Sequence, residues 1–307
     1  MIIFLILLVL LILIILAIMI YAYFATFYSS NKKADSDAIK LPNQPIYTSF
    51  KDVIIKDIMD VRKLKYKQYF IKSFDGLLLS AKYYEHYKNA PIEIMFHGYR
   101  GSSERDLSTG VKRAALCGHN VLLIDQRASG NSQGHTISFG INEHKDCLRW
   151  ITFIKKKFGI HTKIILTGIS MGAATIMMTS SLKLPKNVIG LIADCGYTSP
   201  KEIIKKVIKD MKLFPNLLYP FVYFSARVFG KFKLNETSPI ECVRKTKLPI
   251  IFFHGTIDSF VPHEMSKTLF KECKSKKYIF IVENAEHGIS YLVEPEKYIN
   301  YVKQFFK

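Results

Sequence analysis

The chain has 307 residues, 49% hydrophobic and 22% charged, which excludes a disordered protein and leaves room for one large α/β domain or two small ones. Lys and Arg number 44 against 25 Asp and Glu, a formal charge of +19, but no nucleic-acid-binding motif accompanies the basic runs, so nucleic acid is excluded as a partner. Solvated helix faces account for those runs, and each positive charge close to an anionic lipid surface would gain about 1 kcal/mol. Five cysteines (Cys117, Cys147, Cys195, Cys242, Cys273) form no CxxC pair and mostly adjoin apolar residues, which suits reduced, packed thiols.

In chain order, the first feature is an apolar run. No charged side chain occurs from Met1 to Asn31, and residues 2–24 are apolar or aromatic throughout. As a helix this run spans roughly 35 Å, enough for a hydrocarbon core of about 30 Å. Tyr21, Tyr23 and Tyr28 fall where an interfacial aromatic belt belongs. A cleaved signal peptide has a basic start and a shorter apolar stretch, and a core helix is rarely apolar on every face. The expectation is therefore a retained single-pass anchor, residues 1–28, in the cell membrane. Lys32, Lys33 and Lys40 follow it and no Lys or Arg precedes it, which favours a cytoplasmic C-terminal domain. Residues 29–50, polar and carrying Pro42 and Pro45, are expected to be a linker.

From residue 51 to 307 a single folded domain is expected. Strands are predicted at 77–85, 91–98, 120–127, 163–168, 188–196, 248–255 and 276–284. Helices are predicted near 105–117 and at 141–159, 171–182, 263–273 and 295–306. The strands are near-continuous Ile, Leu, Val and Phe, the pattern of a mostly parallel sheet covered by helices on both faces. About fifty residues separate the strands ending near Asp194 and starting at Leu248, far beyond an ordinary crossover. Their aromatic centre, LFPNLLYPFVYFSARVFG at 213–230, suits a small helical cap (residues 200–240) over the sheet's C-terminal edge. A helix pair packed on the body is the alternative.

Within KIILTGISMGAATIMM (163–178), Gly168-Ile169-Ser170-Met171-Gly172 matches G-x-S-x-G between a strand and a helix. In that context the serine sits at a sharp turn whose neighbours must be small, at a helix N-terminus that favours negative charge. A nucleophilic serine needs a base, and the base an orienting acid, in the chain order Ser, acid, His for this architecture. Asp258 follows the strand in IIFFHGTIDSFVP, and His287 follows the next in YIFIVENAEHG, so all three fall at one sheet edge. Asp194, after another strand, is the alternative acid. His97 and His254 precede glycines at strand ends and read as structural, and Asp125 and Arg127 as holding a loop beside the site. No HExxH, zinc-ligand spacing, Walker A loop or GxGxxG occurs, so neither a metal nor any other cofactor is expected.

HGYRGS, DQRASGNSQG, GISMGA, HGTIDSFVP and EHG, in that order over residues 65–305, resemble the landmarks of the alpha/beta-hydrolase superfamily. The resemblance is nearest to its small-capped serine-hydrolase branch, with aminopeptidase-like and monoacylglycerol-lipase-like members, here of a membrane-anchored bacterial type. It implies an α/β hydrolase sheet and an oxyanion hole built from the backbone N–H groups of Tyr99 and Met171. HGYRG departs from the HGGG pattern of large lipases. The function implied is a membrane-anchored serine hydrolase acting on a small-molecule or lipid-like acyl ester through Ser170, His287 and Asp258. A serine peptidase of the aminopeptidase-like branch and a non-catalytic binding protein on the same scaffold are the alternatives.

Overall fold

The structure, a computed structural model, describes residues 1–30 and 49–307; most of the expected linker lies outside the described residues. Helix α1 (Ile2–Thr26) is apolar along its whole length, and it is long and apolar enough to cross a membrane. Helix α2 (Lys51–Lys63) follows and is absent from the sequence-based list. Its Ile54, Ile58 and Val61 recur at helical spacing and are buried, while Arg62 bonds Glu104 and Lys112 bonds Asp57.

Eight strands make one sheet: β1 (Lys67–Lys72), β2 (Leu78–Tyr84), β3 (Ile92–Phe96), β4 (Asn120–Asp125), β5 (Ile164–Ile169), β6 (Val188–Asp194), β7 (Ile250–Gly255) and β8 (Lys277–Val282). Their spatial order is β1-β2-β4-β3-β5-β6-β7-β8. The pairs from β4 through β3 to β8 are parallel, and β1–β2 and β2–β4 are antiparallel. The edge strand β1 is the second element missing from the sequence-based list. Its sequence, KQYFIK, lacks the long apolar run of the parallel strands, and none of its residues is fully buried, as suits an edge strand.

Alternate residues of the parallel strands feed two cores. Ile94, Phe96, Leu122, Ile124 and Leu166 meet Trp150, Ile151 and Ile154 of α4 (Glu143–Phe158) and Ile176 and Met177 of α5 (Met171–Thr179). On the opposite face Met95, Val121 and Leu123 meet Leu107 and Val111 of α3 (Ser103–Leu116). The insertion between β6 and β7 forms three helices, α6 (Pro200–Asp210), α7 (Pro215–Val228) and α8 (Pro239–Val243). They share an apolar cluster with Phe139, Met171 and Val261 above the strand ends, the place expected of a cap. Helices α9 (His263–Glu272), α10 (Ser290–Val293) and α11 (Pro295–Phe305) complete the chain.

The last turns of α1 belong to this body. Ala22 and Phe27 are buried in the insertion's cluster, and Met19, Tyr23 and Thr26 on the same stripe are half-buried. Beyond the helix, Ile137 N–H donates to the Phe27 carbonyl and Ser29 N–H to that of His135.

Candidate active site

The order of the sheet reverses between β3 and β5, and loops leaving those two strands meet there, the usual place for a site in an open α/β sheet. Ser170 leaves β5 with φ 55° and ψ −115°, a strained conformation for a residue with a Cβ. Its N–H donates to the Asp194 carbonyl, and its own carbonyl accepts from Ala174 N–H as α5 begins. The flanking glycines are required by space. A Cβ on Gly172 would stand 2.0 Å from the Phe96 carbonyl oxygen, and one on Gly168 would stand 2.3 Å from the backbone of Gly172.

His287 and Asp258 leave the ends of β8 and β7. Nδ1 of His287 donates to Oδ2 of Asp258 at 2.7 Å. The same oxygen accepts from Nε2 of His254 at 3.0 Å, while Oδ1 accepts from the N–H groups of Phe260 and Val261. Burial pushes the Asp258 carboxyl up, but the hydrogen bonds from His254 and His287 outweigh it and hold the group well below the usual carboxylate range. His254 bonds loop backbone at Val261, as its position before a glycine suggests, but it also grips the acid. Only the turn of the 255–262 loop brings residues four apart into that contact.

Asp194 lines the same pocket but is not the carboxylate bonded to His287. It is buried, accepts from Ser290 Oγ at 3.0 Å, and burial pushes its carboxyl up. His287 Nε2 points away from Asp258, with Cys195 Sγ 4.0 Å distant. No hydrogen bond within 3.5 Å joins Ser170 to His287. Both line one pocket of about 640 Å³, together with Gly98, Tyr99, Phe260 and Asp194. The Ser170–His287 bond of such sites is commonly long or unformed without substrate.

The loop after β3 forms the opposite wall. A Cβ on Gly98 would lie 3.6 Å from that of Ser170, and Gly98 N–H donates to Asp106. His97 donates from Nδ1 to the Gly98 carbonyl and accepts Gln126 N–H at Nε2. Burial lowers the pKa of this imidazole. Met171 stands at the first position of α5, where a backbone N–H has no intrahelical acceptor, and its side chain is buried in the insertion's cluster. Asp125 accepts from Ser103 and Asn131, and Arg127 donates to Asp146 and Asp75, so both hold loops.

Cys195, Asp258 and His287 are close enough to suggest a metal-binding group, but their chemistry does not fit one. Four donors occupy the lone pairs of Asp258, and burial pushes the Cys195 thiol far from its thiolate form.

Residues 94–238 match the family model for the alpha/beta hydrolase fold. The Bacillus subtilis (strain 168) protein YqkD is 29% identical over 189 residues, 61% of this chain and 62% of that one. Protein bem46 of Schizosaccharomyces pombe is 25% identical over 195 residues, 63% of this chain and 60% of its own. The chain thus spans less than two thirds of the length of these relatives. Among solved structures, the Pyrococcus furiosus esterase Pf2001 is similar with a TM-score of 0.67 at 21% identity, covering 91% of this chain and 97% of that one. With its mostly parallel sheet and the match to that family model, the chain has the alpha/beta hydrolase fold.

Proposed function

We propose that the protein is a membrane-anchored serine hydrolase that cleaves a carboxylic ester. The observation that carries this reading is the pairing of His287 Nδ1 with Asp258 at 2.7 Å beside a strained serine in the same pocket. Asp258, and not Asp194, is the orienting acid. It holds Nδ1–H, so Nε2 is the atom free to accept a proton.

With substrate bound, Nε2 of His287 closes on Ser170 Oγ. Nε2 then takes the hydroxyl proton as the oxygen attacks the ester carbonyl, and Asp258 stabilises the imidazolium. The backbone N–H groups of Tyr99 and Met171 receive the oxyanion, each with an effect of a few kcal/mol on the barrier. His287 returns the proton to the leaving alcohol, and water releases the acyl group by the same steps in reverse. No cofactor takes part. Ester cleavage is the activity that the name of the similar Pyrococcus furiosus esterase carries.

Anchoring is supported by α1, whose length and composition suffice for a span. The burial of its Ala22 and Phe27 in the body favours a retained helix over a removed leader. The soluble domain then lies on the cytoplasmic side, and residues 1–28 and 51–307 act as anchor and enzyme.

A fluorophosphonate probe tests the reading. Wild type is expected to label at Ser170 and hydrolyse p-nitrophenyl esters, and Ser170→Ala to do neither. Folded wild type that resists the probe would overturn the enzyme reading. Equal labelling of Ser170→Ala would overturn the choice of nucleophile.

A further inference from the structure

Helix α7 has two apolar faces. Leu218, Val222 and Ala226 pack on the body. Phe214, Leu217, Phe224 and Val228 form a separate stripe that is 74, 63, 52 and 55% exposed. At 100° per residue these four lie within one narrow sector. A surface helix in water carries polar side chains on that side, and a contiguous apolar patch of this kind marks an interaction site. Met211 and Leu213, just before the helix, extend it at 61 and 44% exposure. Lys209, Lys212, Arg227 and Lys231 rim it and are exposed.

The occupant follows from α1. Helix α7 packs beside the last turns of α1, with Tyr23 and Phe229 rings 5.8 Å apart and Ala22 against the Val222 and Ala226 cluster. The turn of α1 around Met19–Phe24, which α7 flanks, continues the unbroken apolar run of the helix, the kind of run that a hydrocarbon core about 30 Å thick takes up. Tyr21 and Phe24 are exposed there.

We propose that the outer stripe of α7 is seated in the adjacent lipid leaflet, with its Lys and Arg rim at the headgroup phosphates. The protein then grips the bilayer through a span and a cap face together. Arg100, which lines the pocket, bonds the Phe24 and Ala25 carbonyls, so the pocket's rim lies at the lipid surface. An acyl lipid can enter it without crossing bulk water. This inference rests on α1 being a membrane span.

The full-length chain in phosphatidylcholine nanodiscs with brominated acyl chains provides the test. Trp150 is the sole tryptophan and is fully buried, so it gives a constant background. Leu217→Trp and Phe224→Trp are expected to lose fluorescence as strongly as the control Leu10→Trp in α1, and to resist iodide. If Leu10→Trp is quenched while the α7 tryptophans respond only to iodide, the inference fails and the span stands. Shielding of the α7 tryptophans from both quenchers would mean a protein partner or a second copy covers the face, and also overturns it. An unquenched Leu10→Trp would remove the span itself, and the inference with it.

Discussion

The hydroxyl of Tyr99 donates to the carbonyl of Thr26 at 2.7 Å, tying the loop beside Ser170 to the last turn of the apolar helix. Arg100 completes the tie. Its Nη2 donates to the carbonyls of Phe24, Ala25 and Tyr28 at 3.2, 2.9 and 3.1 Å. A helix C-terminus leaves such carbonyls without intrahelical partners, and a cation there also meets the favourable end of the dipole.

Arg100→Ala is therefore expected to slow turnover by roughly tenfold with KM little changed. That is less than the 10²–10³ typical of removing an oxyanion donor outright, because the Tyr99 N–H that we propose as one of the donors is loosened and not lost. Arg100→Lys should recover only part of the loss, since one ammonium cannot reproduce the planar donor group. Steady-state kinetics on a water-soluble ester in detergent separates this from any effect of membrane delivery. An unchanged kcat would show that the tie does not position the loop.

Asp258 and Asp194 should behave differently when made neutral. Asp258→Asn leaves the loop in place but offers His287 the wrong tautomer, and a fall in kcat of about 10⁴ is expected. Asp194→Asn keeps a partner for Ser290 and should leave most of the activity. The reverse ranking would transfer the acid role to Asp194.

Gly172 admits no side chain. The atoms a Cβ would strike are the carbonyl groups of Phe96 and His97, which are backbone and cannot swing aside. Gly172→Ala should destabilise the fold by about 3 kcal/mol or more, seen as a lower midpoint in thermal or urea unfolding. A variant as stable as wild type would contradict the described approach of α5 to β3.

Glu93 predicts the acid limb of stability. It is fully buried in β3 and accepts from Arg113 at 3.1 Å, His119 at 2.7 Å and Thr167 at 2.8 Å. Burial pushes its carboxyl up, but the Arg113 charge and the hydrogen bonds prevail and bring it from 4.5 to about 2. A carboxyl depressed on folding contributes stability that is complete above the unfolded value. That contribution is lost as pH falls through the folded one, here between about pH 4.5 and 2. Its size is on the order of 3 kcal/mol. Glu93→Gln should cost about 3–5 kcal/mol at neutral pH by stranding Arg113 in the interior. Its urea midpoint should then vary less than wild type over that acid range, and an identical acid slope would sink the assignment.

The parallel strands were legible in the chain because strands buried on both faces are written as unbroken apolar runs. The elbow was legible because a Cβ at position 172 would stand 2.0 Å from the Phe96 carbonyl oxygen, which leaves glycine as the only choice there. The lone apolar helix was legible by length alone. Local signals of this kind act within a few residues and need no knowledge of the fold. Edge strand β1 and helix α2 escaped notice because each is half polar and completed by partners elsewhere, Ser80 and Ala81 for Gln68 and Glu104 for Arg62.

Other features exist only through contacts between distant segments. That His287 bonds Asp258 while Asp194 turns to Ser290 depends on how three loops fold back, and either carboxylate follows a suitable strand. The grip of His254 on Asp258 and of Arg100 on the end of α1 likewise depends on loop paths that no periodicity encodes. Residue type and spacing determined which chemistry the chain could assemble. Tertiary packing decided which partners meet, because hydrogen-bond geometry is set by distances that chain order does not constrain.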